Sequence, residues 1–282
     1  CVPEAAGGIG MPAVAAITLA EEVGRTAFPS PLIATLSATF VLNACDSPAA
    51  TAALSEIAGG KATALALTNI DGEWDSAATG VRVNADGRLD GLAAFVQDAR
   101  KCAQFIVSAQ SDAGVGLYLV SAATQGLTLT PDSIIDLTRD QARLTFEQVD
   151  AVELAAPGTG RAAIDAALPG LLCLVAADMV GAGEWLLQTT VEYAKTRVQF
   201  DRPLGFFQAV KHPLVNVMLQ IDNAKSLTYN AACAIDHDPA EALRLARMAK
   251  SEASDMAVFS SSRAVQFHGG IGFTWDCDST LF

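Results

Sequence analysis

Charge is the scarcest property of this sequence. Only 17% of its 282 residues are charged while 51% are hydrophobic, and the balance is acidic, with a formal net charge of −13. A chain this apolar folds around a core instead of staying disordered. The missing basic surplus argues against a nucleic-acid partner, because phosphate contacts require a basic face.

The sequence has few histidines and no closely spaced cysteines that could bind a metal or form a disulfide. The three histidines are scattered, and the six cysteines lie far apart without a Cys-x-x-Cys pair. We therefore expect no metal site and reduced thiols, as in a cytoplasmic protein. No signal peptide is visible, and the abrupt start at Cys1 without a Met, like the end at Phe282, leads us to expect missing terminal segments.

A long apolar run covers residues 168–187. It contains Asp178 and Glu184, and both carboxylates would be costly in a hydrocarbon environment. We therefore predict no membrane span, but a helix buried in a large bundle or at a subunit interface.

The spacing of apolar residues changes along the chain. Residues 12–57 have helical spacing, with Val14, Ile17 and Leu19 near one side of a first helix. Residues 60–156 are short β-rich runs separated by Asp-Gly-type turns, which predicts a small antiparallel β-domain.

Long helices are predicted again from residue 162 onward. They cover 162–199, then 213–236 with Pro213 in the first turn, then a segment with Asp238 as N-cap that ends at a double glycine. The predicted fold class is α+β, mostly α, with domains at 1–58, 59–160 and 161–282.

Residues 192–214, EYAKTRVQFDRPLGFFQAVKHPL, concentrate charge and phenylalanine in a chain that has little of either. On a helix, Arg197 and Phe200 would share a face. The guanidinium could then clamp a diphosphate while the phenyl ring covers a cofactor ring. The alternative is an ordinary basic residue at a helix C-terminus.

Two further segments have both a structural and a binding interpretation. Gln208 is either a surface residue at a helix start or an amide that binds an adenine edge. Gly269 and Gly270 end a helix, and they would also let backbone N–H groups approach an anion closely. His268 beside them could be a general base, but a single histidine at a helix end is more often structural.

The sequence resembles the acyl-CoA dehydrogenase family. The resemblance is carried by TTVEYAKTRVQFDRPLGFFQAVKHPL, AVQFHGGIGFTWDCD and VPEAAGGIGMP followed by AEEVGR. It implies N-terminal helices, a central antiparallel β-domain and a C-terminal four-helix bundle. It also implies FAD as cofactor, formation of a Cα=Cβ double bond in an acyl-CoA thioester, and an electron-transfer flavoprotein as electron acceptor.

By this resemblance, Arg197 would contact the FAD diphosphate, Phe200 would pack beside the flavin and Gln208 would lie near the adenine. The positions that would line the FAD of a neighbouring subunit are Gln266, Gly269 and Gly270. The segment 192–214 would then be half of a flavin site that is completed across a subunit interface.

The sequence departs from the family pattern at the strand that faces the flavin. Where Thr-Glu-Pro-x-x-Gly-Ser is usual, this chain reads LALTNIDGEWDS. Thr68 is retained, Asn69 and Ile70 replace Glu-Pro, and Trp74 stands where the flavin-binding Ser would lie. The next motif, usually Trp-Ile-Thr or Trp-Ile-Ser, is represented only by AAFVQD.

The catalytic base is the second departure. One family position for it lies beyond Phe282. The other corresponds to Leu171, followed by Leu172 where many members have Arg, and leucine cannot accept a proton. Asp178 and Glu184 lie turns away on the same helix.

These departures suggest the base-lacking partner in an α2β2 heterotetramer, like those of bacterial steroid-type acyl-CoA dehydrogenases. Such a chain would work in β-oxidation of steroid side-chain CoA esters, in the cytoplasm, with a sister subunit. Two alternatives stay open: a self-sufficient homotetramer with its base beyond residue 282, and a non-enzymatic scaffold of the same fold. No catalytic residue is assigned.

Overall fold

The protein is described here by a computed structural model covering residues 1–73 and 75–282. The sequence-based interpretation of Trp74 falls outside the described residues. The helices of the described chain are α1 (Ala13–Arg25), α2 (Leu32–Asn43), α3 (Pro48–Ala58), α4 (Gly160–Thr196), α5 (Gln208–His237) and α6 (Pro239–His268). Its strands are β1 (Thr63–Ala66), β2 (Val81–Val83), β3 (Leu89–Gln97), β4 (Gln104–Ser111), β5 (Gly114–Ser121), β6 (Leu127–Pro131), β7 (Gln141–Val149), β8 (Val152–Ala155), β9 (Val198–Gln199) and β10 (Arg202–Pro203).

The chain forms two compact units. The sheet unit comprises Cys1–Pro12 and Pro29–Leu171, and the helical unit comprises Ala13–Phe28 and Leu172–Phe282. Helices α2 and α3 thus belong with the strands, whereas α1 belongs with the C-terminal helices. The division into three domains stays a prediction.

The sheet unit contains a mixed sheet with strand order β6-β7-β3-β2-β4-β5-β8, and β1 also pairs with β4. Most neighbours are antiparallel, as predicted, but β1 and β2 run parallel to β4. Strand β4 is buried on both faces, with Phe105, Ile106 and Val107 inaccessible to solvent. A strand covered on both sides is typical of parallel pairing. The α+β fold with mostly helical content is confirmed.

Helix α1 packs through its small residues. Ile17 is buried as predicted, but the placement of Leu19 on the same side is wrong, since Leu19 is 52% exposed. A Cβ at Gly24 would lie 1.9 Å from the Asp178 carbonyl oxygen of α4. Backbone contact this close leaves no room for a side chain at position 24, and Ala13, Ala16 and Ala20 are the other small residues on the buried face of α1.

Two helix boundaries differ from the prediction. Helix α4 ends at Thr196, and α5 begins at Gln208, which puts Pro213 inside the helix instead of in its first turn. The start of α6 is confirmed with Asp238 at the N-cap and Pro239 at N1, although the Asp238 side chain makes no capping hydrogen bond.

Helix α4 is the single helix among residues 1–73 and 75–282 that is long and apolar enough to span a membrane. Half of its most apolar stretch is buried within the protein, as in a core helix.

Candidate functional site

A tight hairpin follows α4. Strands β9 and β10 pair Gln199 with Arg202 and Val198 with Pro203, leaving Phe200 and Asp201 as a two-residue turn with φ of 54° and 58°. Two successive left-handed residues match the twist of a hairpin. The expectation that Arg197 and Phe200 share a helical face is therefore wrong. The turn residues and Pro203 favour a hairpin over another helical turn.

Arg197 lies at the base of this hairpin. Its N–H donates to the Tyr193 carbonyl at 2.8 Å, and its own carbonyl accepts the N–H of Leu204 at 2.8 Å. The backbone of Arg197 is thus fixed from both sides. Its side chain is exposed and makes no hydrogen bond or ion pair with any residue the structure describes. By contrast, Lys195 two residues earlier is paired with Glu192 at 2.6 Å.

The hairpin presents an aromatic surface. Phe200 is 87% exposed at the turn and meets the edge of Phe207, with ring centroids 6.2 Å apart. Phe207 contacts Phe206, and the Arg202 guanidinium lies 5.2 Å from the Phe206 ring centroid. A left-handed phenylalanine costs roughly 1–2 kcal/mol. Its position suits contact with a planar group outside the chain better than packing within it.

The two predicted amides lie at helix ends. Gln208 is the first residue of α5, and Gln266 is in the last turn of α6. Both side chains are exposed, and neither forms a hydrogen bond within the described part of the chain. Both are therefore available to a ligand.

The double glycine ends α6. Gly269 has φ 64° and ψ −139°, a conformation that essentially only glycine adopts, and its N–H donates to the Gln266 carbonyl. Gly270 differs, because its φ is ordinary and a Cβ built on it would meet no atom within 4 Å. Nothing in the described chain explains glycine at position 270. Close approach of a ligand or another chain would explain it.

An aromatic stack joins the ends of α4 and α6. The rings of Tyr193 and His268 have centroids 4.5 Å apart and an interplanar angle of 29°. Tyr193 accepts the Arg197 N–H, and His268 directly precedes Gly269. The structure thus brings together the Arg197 hairpin and the double glycine, which sequence reasoning could only place separately. An arginine without a counterion among the described residues, on a segment linked by this stack to bare glycine backbone, fits the diphosphate of a cofactor such as FAD.

Thr68 belongs to the sheet unit. It forms an isolated bridge with Ala94, through its carbonyl, and its hydroxyl makes no hydrogen bond to the described residues. The loop after it is closed on itself, since Asn69 donates to the Glu73 carboxylate at 2.6 Å and accepts the Glu73 N–H at 3.2 Å. The exposed carboxylate of Glu73 would repel the phosphates of a ligand by like charge.

The candidate base position is apolar. Leu171 packs against a buried hydrophobic cluster of the sheet unit that includes Ile164 and Ala167. Leu172 lines an open pocket of about 330 Å³ in the helical unit, whose other lining residues are Arg247, Lys250, Ser251, Ser254 and Asp255.

Glu184 is engaged in an ion network and cannot replace the base. Its carboxylate accepts from Lys225 at 2.8 Å and also pairs with Arg25. Burial raises the pKa of Glu184, but the hydrogen bonds from Lys225 and Arg25 outweigh burial and leave the pKa lowered. A carboxylate held ionised between two cations is a poor proton acceptor.

Comparison with known proteins identifies the family of this chain. Residues 158–281 match the family model described as acyl-CoA dehydrogenase, C-terminal domain. A curated relative, acyl-CoA dehydrogenase IpdE2 of Mycobacterium tuberculosis, is 34% identical over 282 residues, covering 100% of this chain and 74% of the relative.

Solved structures share the fold over nearly the whole chain. A chain of the Tcur3481-Tcur3483 steroid ACAD is 31% identical with a TM-score of 0.87, covering 99% of this chain and 77% of that one. Butyryl-CoA dehydrogenase from Megasphaera elsdenii is 28% identical with a TM-score of 0.90, covering 99% and 78%. Because IpdE2 is 34% identical over the whole of this chain, and the chain covers 74% of IpdE2, the chain belongs to the acyl-CoA dehydrogenase family.

Proposed function

We propose that this chain is the base-lacking subunit of an FAD-dependent acyl-CoA dehydrogenase, assembled with a sister subunit that carries the base. The complex would form a Cα=Cβ double bond in an acyl-CoA thioester. The observation that carries the proposal is the contrast between two side chains. Leu171 is apolar and partly buried against the core, whereas Arg197 is exposed and has no counterion among the described residues.

The chemistry divides between the two subunits. A carboxylate must take the proton from Cα, and a leucine at the base position leaves that task to the sister subunit. Bound FAD supplies the acceptor for the hydride that leaves Cβ, and an electron-transfer flavoprotein would then take up the electrons. This chain supplies binding: Arg197 neutralises the diphosphate and Phe200 covers a ring face. The remaining contacts of the helical unit would come from Gln208, Gln266, Gly269 and Gly270. For Thr68, in the sheet unit, the cofactor contact implied by the family resemblance stays a prediction.

The surface of α5 supports an oligomer. Val215, Met218 and Leu219 lie at helical spacing on one face and are 48%, 42% and 51% exposed. Apolar side chains at such spacing favour contact with another subunit over contact with water. A sister subunit of the same fold is the partner proposed here, and a second copy of this chain is the alternative.

The proposed substrate is a steroid side-chain CoA ester, and the proposed location is the cytoplasm. Support for the substrate comes from the likeness to a chain of the steroid ACAD, which is stronger in sequence than that to butyryl-CoA dehydrogenase. Comparing a steroid side-chain CoA ester with butyryl-CoA as substrates of the assembled complex would test it.

The decisive experiment is to purify the chain alone and after co-expression with a base-carrying sister subunit. We expect little flavin in the chain alone, and about one FAD for every two chains in the complex, because the half-sites are shared. A yellow, active homo-oligomer of this chain would overturn the proposal in favour of a self-sufficient enzyme. If Arg197→Ala left the flavin content and activity of the complex unchanged, the chain would be a scaffold.

A further inference from the structure

In the stack of Tyr193 on His268, the imidazole ring is buried and held in one orientation. His268 is 5% exposed, and its Nδ1 lies 2.8 Å from the Ala264 carbonyl oxygen, one turn earlier in α6. Because a carbonyl only accepts, Nδ1 carries the proton. This bond and the Tyr193 ring fix the imidazole in one orientation. A ring so enclosed is not placed to act as a general base.

Each ring is attached to one half of the proposed diphosphate site. The carbonyl of Tyr193 accepts the N–H of Arg197 at 2.8 Å, so the tyrosine backbone fixes the start of the hairpin. His268 immediately precedes Gly269, whose left-handed backbone turns the chain out of α6. The two stacked rings therefore link the segment that carries Arg197 to the segment that carries Gly269 and Gly270.

A diphosphate requires that spacing to be held closely. A bidentate guanidinium contact is directional, and a shift of about 1 Å weakens such contacts strongly. Neither Arg197 nor Gly270 is held by other side-chain bonds within the described chain. The stack of Tyr193 on His268 is a side-chain contact that links their two segments.

We propose that Tyr193 and His268 are positioning residues that align Arg197 with the Gly269–Gly270 backbone for binding of the FAD diphosphate. The inference rests on the proposed function and adds the residues that set the geometry of its site. Neither ring contacts the cofactor in this proposal; they act through the two backbone segments.

A double-mutant cycle on the assembled complex tests it, with the Kd for FAD measured by titration of the flavin-free complex. We expect His268→Leu to raise the Kd about tenfold, and Arg197→Gln to raise it by at least as much. If His268 acts through Arg197, the double variant binds FAD no more weakly than Arg197→Gln alone. His268→Phe keeps the ring stack and should restore most of the affinity, although it loses the bond to Ala264.

Trp185→Leu is the matched control. It removes another aromatic stack of the helical unit, in which Trp185 and Phe282 have centroids 4.1 Å apart. It should lower the melting temperature without changing the Kd for FAD. Should His268→Leu fail to fold, Tyr193→Leu removes the same stack from the other side and replaces it in the cycle.

The outcomes separate the two proposals. An unchanged Kd in Arg197→Gln contradicts the proposed function itself. Two outcomes contradict only the positioning role. In the first, Arg197→Gln raises the Kd for FAD but His268→Leu does not. In the second, both variants raise the Kd, and their effects multiply in the double variant. Failure of His268→Phe to recover affinity would also count against the stack as the aligning contact.

Discussion

The helical unit contains a network of charged side chains that neutralise one another, the internal group, and one charged side chain that nothing in the described chain neutralises, the external group. In the first, Glu21 accepts from Arg25 at 2.9 Å, Lys225 at 2.7 Å and the Tyr229 hydroxyl at 2.8 Å, with Glu184 bridging the same two cations. In the second, Arg197 stands exposed without any partner among the described residues. The charges of the internal group are neutralised within the chain and stabilise the fold. In the proposed function, the charge of Arg197 is neutralised only when the FAD diphosphate binds.

The largest expected effect tests the internal group. Glu21→Ala removes a carboxylate whose side chain is 4% exposed and leaves Lys225 and Arg25 undercompensated. Both cations are about one third exposed and keep Glu184 as a counterion, so we expect a loss of about 2–3 kcal/mol of unfolding free energy, the value of losing charged hydrogen bonds to a buried carboxylate. Urea unfolding of the assembled protein would measure it, and flavin affinity per folded protein should be unchanged.

Glu22→Ala is the control for that variant. Glu22 also pairs with Arg25, but its side chain is 58% exposed, so the loss should stay below about 1 kcal/mol. Equal losses of unfolding free energy in the two variants would show that burial does not make Glu21 more important for stability than Glu22.

The second prediction concerns the external group. Arg197→Gln should leave the unfolding free energy of the flavin-free protein unchanged and weaken FAD binding by the complex about 10- to 100-fold, the range for losing charged hydrogen bonds. Lys195→Gln removes a charge that Glu192 already compensates and should have no effect on FAD binding. A clear loss of stability in Arg197→Gln would place this arginine with the internal group.

The glycines allow the same comparison without charge. In Gly272→Ala, the new Cβ would lie 2.6 Å from the Val265 carbonyl oxygen and 2.8 Å from the His268 Cβ. The chain itself is crowded there, so we expect a loss of about 1–3 kcal/mol of unfolding free energy. Gly270→Ala meets open space and should unfold like the unmodified protein, yet hold less FAD in the complex. Thermal unfolding and flavin content would distinguish them, and the reverse pattern would refute the assignment of Gly270.

The smallest expected effect is a pH dependence. The pKa of Glu184 is lowered in the folded chain, because hydrogen bonds from Lys225 and Arg25 outweigh the opposing effect of burial. A lowered folded-state pKa adds stability above the unfolded value, and this stability is lost as the pH falls through the folded value. The unfolding free energy should therefore fall as the pH drops below about 4.5, the ordinary pKa of a glutamate, and less so in Glu184→Gln. Parallel pH curves for the two proteins would contradict the network as the cause.

Much of the fold could be predicted because it depends on local patterns. Alternation and turn residues predicted the strands between β1 and β8, and Asp238 with Pro239 marked the start of α6. Boundaries failed where two local signals compete. Apolar spacing continues past Thr196, but the Phe200–Asp201 turn and Pro203 end the helix there. Pro213 suggested a helix start, yet α5 begins at Gln208, because the preceding short turn at Leu204–Phe206 leads directly into it.

The candidate site could be predicted only as separate pieces. Arg197, Phe200 and the double glycine have recognisable residue types, and family resemblance assigns them provisional roles. The Tyr193–His268 contact had no signal, because residues far apart in sequence carry no local pattern that pairs them. The Glu21–Lys225 pair was missed for the same reason.

The sequence by itself determined the helix and strand types, the leucine at candidate base position 171 and the supply of candidate binding residues. These follow from side-chain chemistry and short-range spacing. Only the tertiary structure decided which charges are neutralised within the chain and which remain available to a ligand. Neutralisation depends on distances between residues that come together on folding, and no local pattern encodes those distances.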